Sequence, residues 1–272
     1  AREKALDQFL RFEGTCAHPL RVDTRLPEIG ELLGLAWNQT ARLRPDHSAR
    51  YMLTAMRVGS PEGLNPGAWT DEHTDRATLE AARDAGDPLG ELVLCWGEIK
   101  EEPTARSRRL AHVGALLLAL PPGSIHPTQR ALLMSAVLAG LGEHSRPEDG
   151  QERVELARTL GRHAREQLRD RPEDLRVAFE NEAATICRVE GAASPEVLAV
   201  LRRSEATLRA GPDAPEPARR AHGYSQVVVA RHLIAIGDHS EAERAARAAL
   251  ATSPLADAAR MLRVALARAL RL

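Results

Sequence analysis

Apolar residues recur along this chain at intervals of three and four, the spacing that lines one face of a helix. Between Leu26 and Arg44, Ile29, Leu32, Leu33, Leu35 and Trp37 keep that rhythm behind Pro27, a residue suited to a first helical turn. Asp46 is placed to cap a second helix carrying Tyr51, Met52, Leu53 and Met56. The pattern lapses from Gly59 to Asp75, the longest stretch of turn-forming residues. It resumes near Arg76, at Pro88 and at Pro103, breaks at Pro121-Pro122-Gly123, and returns as an apolar helix from Thr128 to Leu141. The polar run "GEHSRPEDGQ" from Gly142 reads as a linker. It predicts an N-terminal helical region, 1–145, and a second region, 150–272, or else one continuous array.

After the linker the punctuation becomes regular. Ser194-Pro195 and Ser253-Pro254 each pair a capping residue with a first-turn proline. Pro172, Pro212 and Pro254 stand 40 and 42 residues apart, with one helical hairpin in each interval. "SQVVVARHLI" carries three consecutive valines, but helix formers flank it and it reads as helix. The expectation is an all-α protein without sheet, its hairpins stacked as an α-solenoid.

The stretch from about Gly223 to Pro254 resembles a tetratricopeptide repeat. Ala230 matches the small residue of that family's first helix, and Leu233 the large apolar residue one turn later. Gly237-Asp238-His239 looks like the interhelical turn, with His where an aromatic is commoner. Ala242 and Ala249 match the small residues of the second helix, and Pro254 the closing proline; Ala246 departs from the family's large residue. Small side chains at i and i+7 let antiparallel helices approach at the short end of the usual ~8–10 Å separation. The alanines therefore form a packing surface. The resemblance implies that ligands lie on the face made by first helices, to which it assigns Tyr224, Val227 and Arg231 and, by looser analogy, Asn181 and Arg188.

Composition narrows the picture. The chain of 272 residues is 43% hydrophobic and 28% charged, as soluble globular proteins are, but only 3% aromatic. A core so poor in aromatics is built from Leu, Val and Ala, which suits closely packed helices. The formal net charge of −1 argues against nucleic acid and against an anionic membrane. Of the 37 basic residues all but Lys4 and Lys100 are arginine. A GC-rich bacterial genome produces that bias; planar recognition of carboxylate or phosphate is the alternative. Cys16, Cys95 and Cys187 are far apart and odd in number, which fits a reducing cytoplasm. The longest apolar run, Val113 to Leu120, is too short to span a bilayer.

Chemical motifs are scarce. Nucleotide-binding glycine loops, zinc-protease and EF-hand patterns and a nucleophile elbow are missing. Cys16 and His18 form a C-x-H pair with nothing nearby to complete a zinc site, so neither metal nor cofactor is expected. His73 stands among Asp71, Glu72 and Asp75, a pattern that suits a general base or, more simply, a helix N-terminus. Arg106 to His112 is the densest basic cluster. The C-terminal helix sets Arg260, Arg263, Arg268 and Arg271 on one face and Leu255, Ala258, Leu262, Leu266 and Leu270 on the other; this reads as a capping helix or a docking face for a partner or second copy. The sequence thus points to a non-enzymatic scaffold, adaptor or regulatory partner that binds a protein or peptide. The alternative is a helical nucleic-acid-binding module with an arginine-lined face. An enzyme with its site in Gly59 to Asp75 is a third reading.

Overall fold

The computed structural model describes residues 53, 56, 76–101, 105–252 and 256–270. Cys16, His18, the helix expected at Leu26 to Arg44, most of the next helix and the Gly59 to Asp75 loop lie outside the described residues. Every described regular element is helical, and among the described residues there is no strand. "SQVVVARHLI" is helix, as its flanks require.

The chain divides into two units, 1–101 with 120–129, and 102–119 with 130–272. In the first, helix α1 (Arg76–Asp84) packs on α2 (Pro88–Glu101), and Leu79, Leu89, Leu92 and Val93 are buried. Asp87 caps α2, its Oδ1 accepting from the Leu89 N–H at 3.0 Å.

The second unit holds α3 (Arg106–Ala119), most of α4 (Pro127–His144), a 3-10 turn (Pro147–Asp149), and six more helices: α5 (Gly150–Gln167), α6 (Pro172–Glu190), α7 (Pro195–Thr207), α8 (Glu216–Ala235), α9 (His239–Thr252) and α10 (Ala256–Ala269). The division does not fall at 145–150. Residues 102–119 and 130–144, expected with the N-terminal region, group with 150–272. The polar run between α4 and α5 is a tight turn rather than a linker. Asp149 pins it, Oδ2 accepting from the Arg146 N–H and from the Ser107 hydroxyl of α3, both at 2.8 Å. Residues that look like linker are there to satisfy a helix start.

Proline and glycine set the boundaries. Pro172 and Pro195 open α6 and α7, and the Ser194 Oγ accepts from the Glu196 N–H at 3.2 Å. Gly237, at φ 82°, makes the turn between α8 and α9. From α5 to α10 each helix packs on the next. Contacts also skip one helix, joining α3 to α5, α6 to α8, and α8 to α10. Helices α4, α6 and α8 begin 45 and then 44 residues apart (127, 172, 216), and α5, α7 and α9 begin at the same two intervals (150, 195, 239).

Two interiors result. Between α5 and α6, Gly161 leaves room for the buried Glu182 carboxylate, which pairs with Arg165. A Cβ at Gly161 would run into that carboxylate and lie 2.8 Å from the Arg165 guanidinium. The same guanidinium lies 4.6 Å from the Phe179 ring centroid. Burial pulls Arg165 down to about 10, with Arg203 and Arg162 adding to the shift, and it stays charged at neutral pH. Among α8, α9 and α10 the core is instead Val227, Ala230, Ala246, Ala249, Ala258, Leu262 and Ala265, with Ala242 buried beside them. The alanine face expected on α9 is thus a packing surface, and Ala246 belongs to it.

Candidate interaction surface

Hydrogen bonds fix how α4, α6 and α8 lie together. Asn181 Nδ2 donates to the Ser135 carbonyl at 3.0 Å and to its hydroxyl at 3.2 Å; the Thr185 hydroxyl donates to the Leu138 carbonyl at 3.0 Å. Further along, Arg188 Nη2 donates to the Glu143 carbonyl at 3.4 Å. Residue numbers rise together on both helices, so α4 and α6 run parallel. The next pair repeats this. Arg220 of α8 reaches Glu173 of α6 at 3.5 Å, and the Arg176 guanidinium lies 5.5 Å from the Tyr224 ring centroid. The odd-numbered helices are tied likewise: Arg158 of α5 to Glu196 of α7 at 2.5 Å, and Arg202 of α7 to Glu241 of α9 at 2.5 Å.

The parallel pair α6 and α8 exposes a strip of side chains. Val177, Ala184 and Arg188 are exposed on α6, and Arg231 and Ala235 on α8, with Tyr224 and Val228 half-buried among them. Spacing of three, four and seven puts each set on one helix face. Charge is unevenly settled along it. Arg176 pairs with Glu180 at 2.5 Å, and Arg220 with both Glu173 and Glu216. Toward the helix C-termini Arg188 and Arg231 stand exposed, and Arg188 meets a carbonyl rather than a carboxylate.

The five residues expected at this surface separate. Arg231 and Arg188 are exposed on it, and Tyr224 is seated beneath Arg176 of the preceding hairpin. Val227 is only 2% exposed, packed in the alanine core one position round the helix, so it offers a partner nothing. Asn181 spends its amide on Ser135 and acts as a clamp between helices. Val177 also lies on this strip, and its i, i+7 spacing to Ala184, like that of Tyr224 to Arg231, is visible in the sequence; Arg176 joins it only through its contact with Tyr224. In the Arg106 to His112 cluster, Arg108 and His112 are exposed while Ser107 holds Asp149.

The C-terminal helix also departs from expectation. Its buried face is Ala258, Leu262, Ala265 and Ala269; Leu266 is half-buried and Leu270 exposed. Close contact with α8 and α9 selects alanine there, where a hydrophobicity pattern favours leucine.

Compared with known proteins, the chain matches no family model, no curated protein and no solved structure. No described helix is long and apolar enough to cross a membrane.

Proposed function

We propose that residues 102–119 and 130–272 form a tetratricopeptide-repeat-like α-solenoid, and that the protein is a non-enzymatic scaffold, adaptor or regulatory partner in a bacterial cytoplasm. Its ligand is a protein or peptide laid across the even-numbered helices. The observation that carries the reading is the repeated geometry: two sets of helices starting at the same 45- and 44-residue intervals, with α4, α6 and α8 bonded side by side. Stacked hairpins of this kind place successive first helices edge to edge, and such rows make extended binding faces. Tyr224, seated by Arg176, is a rigid aromatic contact, and Arg231 and Arg188 are donors for a partner's carboxylates.

The test is capture of the partner from the native host with the tagged full chain, followed by titration at two salt concentrations. Tyr224→Ala with Arg231→Ala should weaken that partner about tenfold or more while the helical circular dichroism signal is kept. Wild-type protein that binds a random oligonucleotide at sub-micromolar strength in physiological salt, and holds no protein partner, would overturn the reading in favour of the nucleic-acid module.

A further inference from the structure

We propose that the groove between α5 and α7 binds a phosphorylated side chain of a partner protein, gripped by Arg162 and Arg203, at a site separate from the α6–α8 strip. The two helices are tied by Arg158 of α5, whose guanidinium meets both oxygens of Glu196 on α7, at 2.9 and 2.5 Å. Seven residues further along each helix, on the same side as that tie, stand Arg165 and Arg203. Arg162 follows Arg158 by four residues and precedes Arg165 by three, so it shares that side of α5. Arg162 and Arg203 are exposed, whereas Arg165 is turned inward onto Glu182. Burial does most to lower Arg165, and the charges of Arg203 and Arg162 lower it further, as neighbours in one cluster do.

Cations outnumber carboxylates here. On the neighbouring helices Arg176 has Glu180, Arg202 has Glu205 and Glu241, and Arg220 has Glu173 and Glu216. Among the described residues neither Arg162 nor Arg203 pairs with a carboxylate. The residues three and four positions from Arg203 are Ala199, Val200, Ala206 and Thr207, none of them acidic. Those around Arg162 are Arg158, Thr159, Arg165 and Glu166. Arg158 is spent on Glu155 and Glu196, and Glu166 lies 3.8 Å from His163. Arg162 and Arg203 thus add two unmatched charges beside a buried third.

Charge and size name the occupant. One arginine satisfies both oxygens of a carboxylate, whereas a phosphate monoester carries about −1.5 to −2 charge and three acceptor oxygens, enough for two arginines. The basic patch is also short. Glu155 and Glu196 close it toward the helix starts, and Glu166 stands one turn past Arg162. A nucleic-acid strand along the groove would set its next phosphates against those carboxylates, whereas a single phosphate meets only the arginines. The groove is open to water, which screens a bare ion, so a phosphate carried on a chain that also touches the two helices suits it better.

The probe is a fluorescein-labelled peptide mixture with one fixed phosphoserine among randomised positions; its controls carry serine or glutamate there. The full chain should bind the phosphoserine mixture about tenfold or more tightly than either control. Arg162→Gln with Arg203→Gln should abolish that preference. Both side chains are exposed and crowd a like charge, so this double variant should melt no lower than wild type, which separates lost binding from lost fold. Inorganic phosphate, set against chloride at equal ionic strength, should raise the melting temperature of wild type and not that of the double variant. Tyr224→Ala with Arg231→Ala should leave the preference intact, which keeps this site distinguishable from the α6–α8 strip. Three results would each overturn the proposal. One is equal binding of the phosphoserine and serine mixtures. Another is a phosphoserine preference that survives in the double glutamine variant. The third is a random oligonucleotide that binds more tightly than the phosphoserine mixture and is lost in that variant, which would give the groove to nucleic acid.

Discussion

The α5–α6 seam and the α8–α9–α10 seam solve one problem in two ways. Both bring helix backbones close. At α8–α10 closeness comes from Ala230, Ala246, Ala249, Ala258 and Ala265, small side chains that need no partner. At α5–α6 it comes from Gly161, and the space is filled by a buried carboxylate, an arginine and an aromatic ring. The alanine seam spreads its stability over many weak contacts. The charged seam concentrates its stability in one pair, because a buried ion that loses its partner keeps the whole cost of desolvation. Alanine packing is therefore tolerant, and the ion pair is specific.

The largest effect should come from breaking the pair. Glu182→Ala leaves Arg165 buried without its carboxylate and should cost about 3–5 kcal/mol in urea denaturation, seen as a lower midpoint at unchanged slope. Replacing both residues by methionine should recover most of that loss, since a buried pair and a well-packed apolar substitute differ little. Equal losses from the single and the double variant would mean that the seam depends on packing volume rather than charge.

Overfilling the alanine seam should cost less. Ala242→Leu or Ala249→Leu should destabilise by about 1–3 kcal/mol, because an added side chain in a filled interior forces neighbours off their preferred rotamers. An unchanged melting temperature in both would show that the α9 interface yields without cost.

Acid separates the seams further. Burial holds His222 and His232, both on α8, below the ordinary value of 6.5. A group whose folded value is depressed stabilises fully above its unfolded value, and that contribution is lost as pH falls through the folded value. Amide protection factors on α8 should therefore drop between pH 7 and pH 5. Protection on α8 that stays constant over that range would remove the histidines from its stability. The smallest effect belongs to the half-buried surface ties: Arg202→Ala, which cuts the link to Glu241, should cost about 1 kcal/mol or less, and less still in high salt.

What could be read in advance follows the same division. Pro88, Pro172 and Pro195 mark helix starts and Gly237 marks a turn because those residues act locally, through fixed or permitted φ. The α9 alanines were legible because their spacing has a packing reason. Glu182 was not, since a charged residue reads as solvent-facing until its partner is found 17 residues earlier on another helix. Val227 was assigned to the outer strip by resemblance, whereas a small rotation of α8 puts it inside and Val228 at the edge. Leu270 looked like core, and the buried Ala265 and Ala269 were not singled out, because side-chain hydrophobicity says nothing about how near a neighbouring helix comes.

Helix α8 is gripped from four directions, by α6, α7, α9 and α10, while α10 rests on α8 and α9. On the clock of backbone proton exchange this makes the two helices opposites. Loosening α10 releases two neighbours. Loosening α8 releases four neighbours together, so its amides wait for the unfolding of the whole unit. Exchange should therefore reach α10 before it reaches α8.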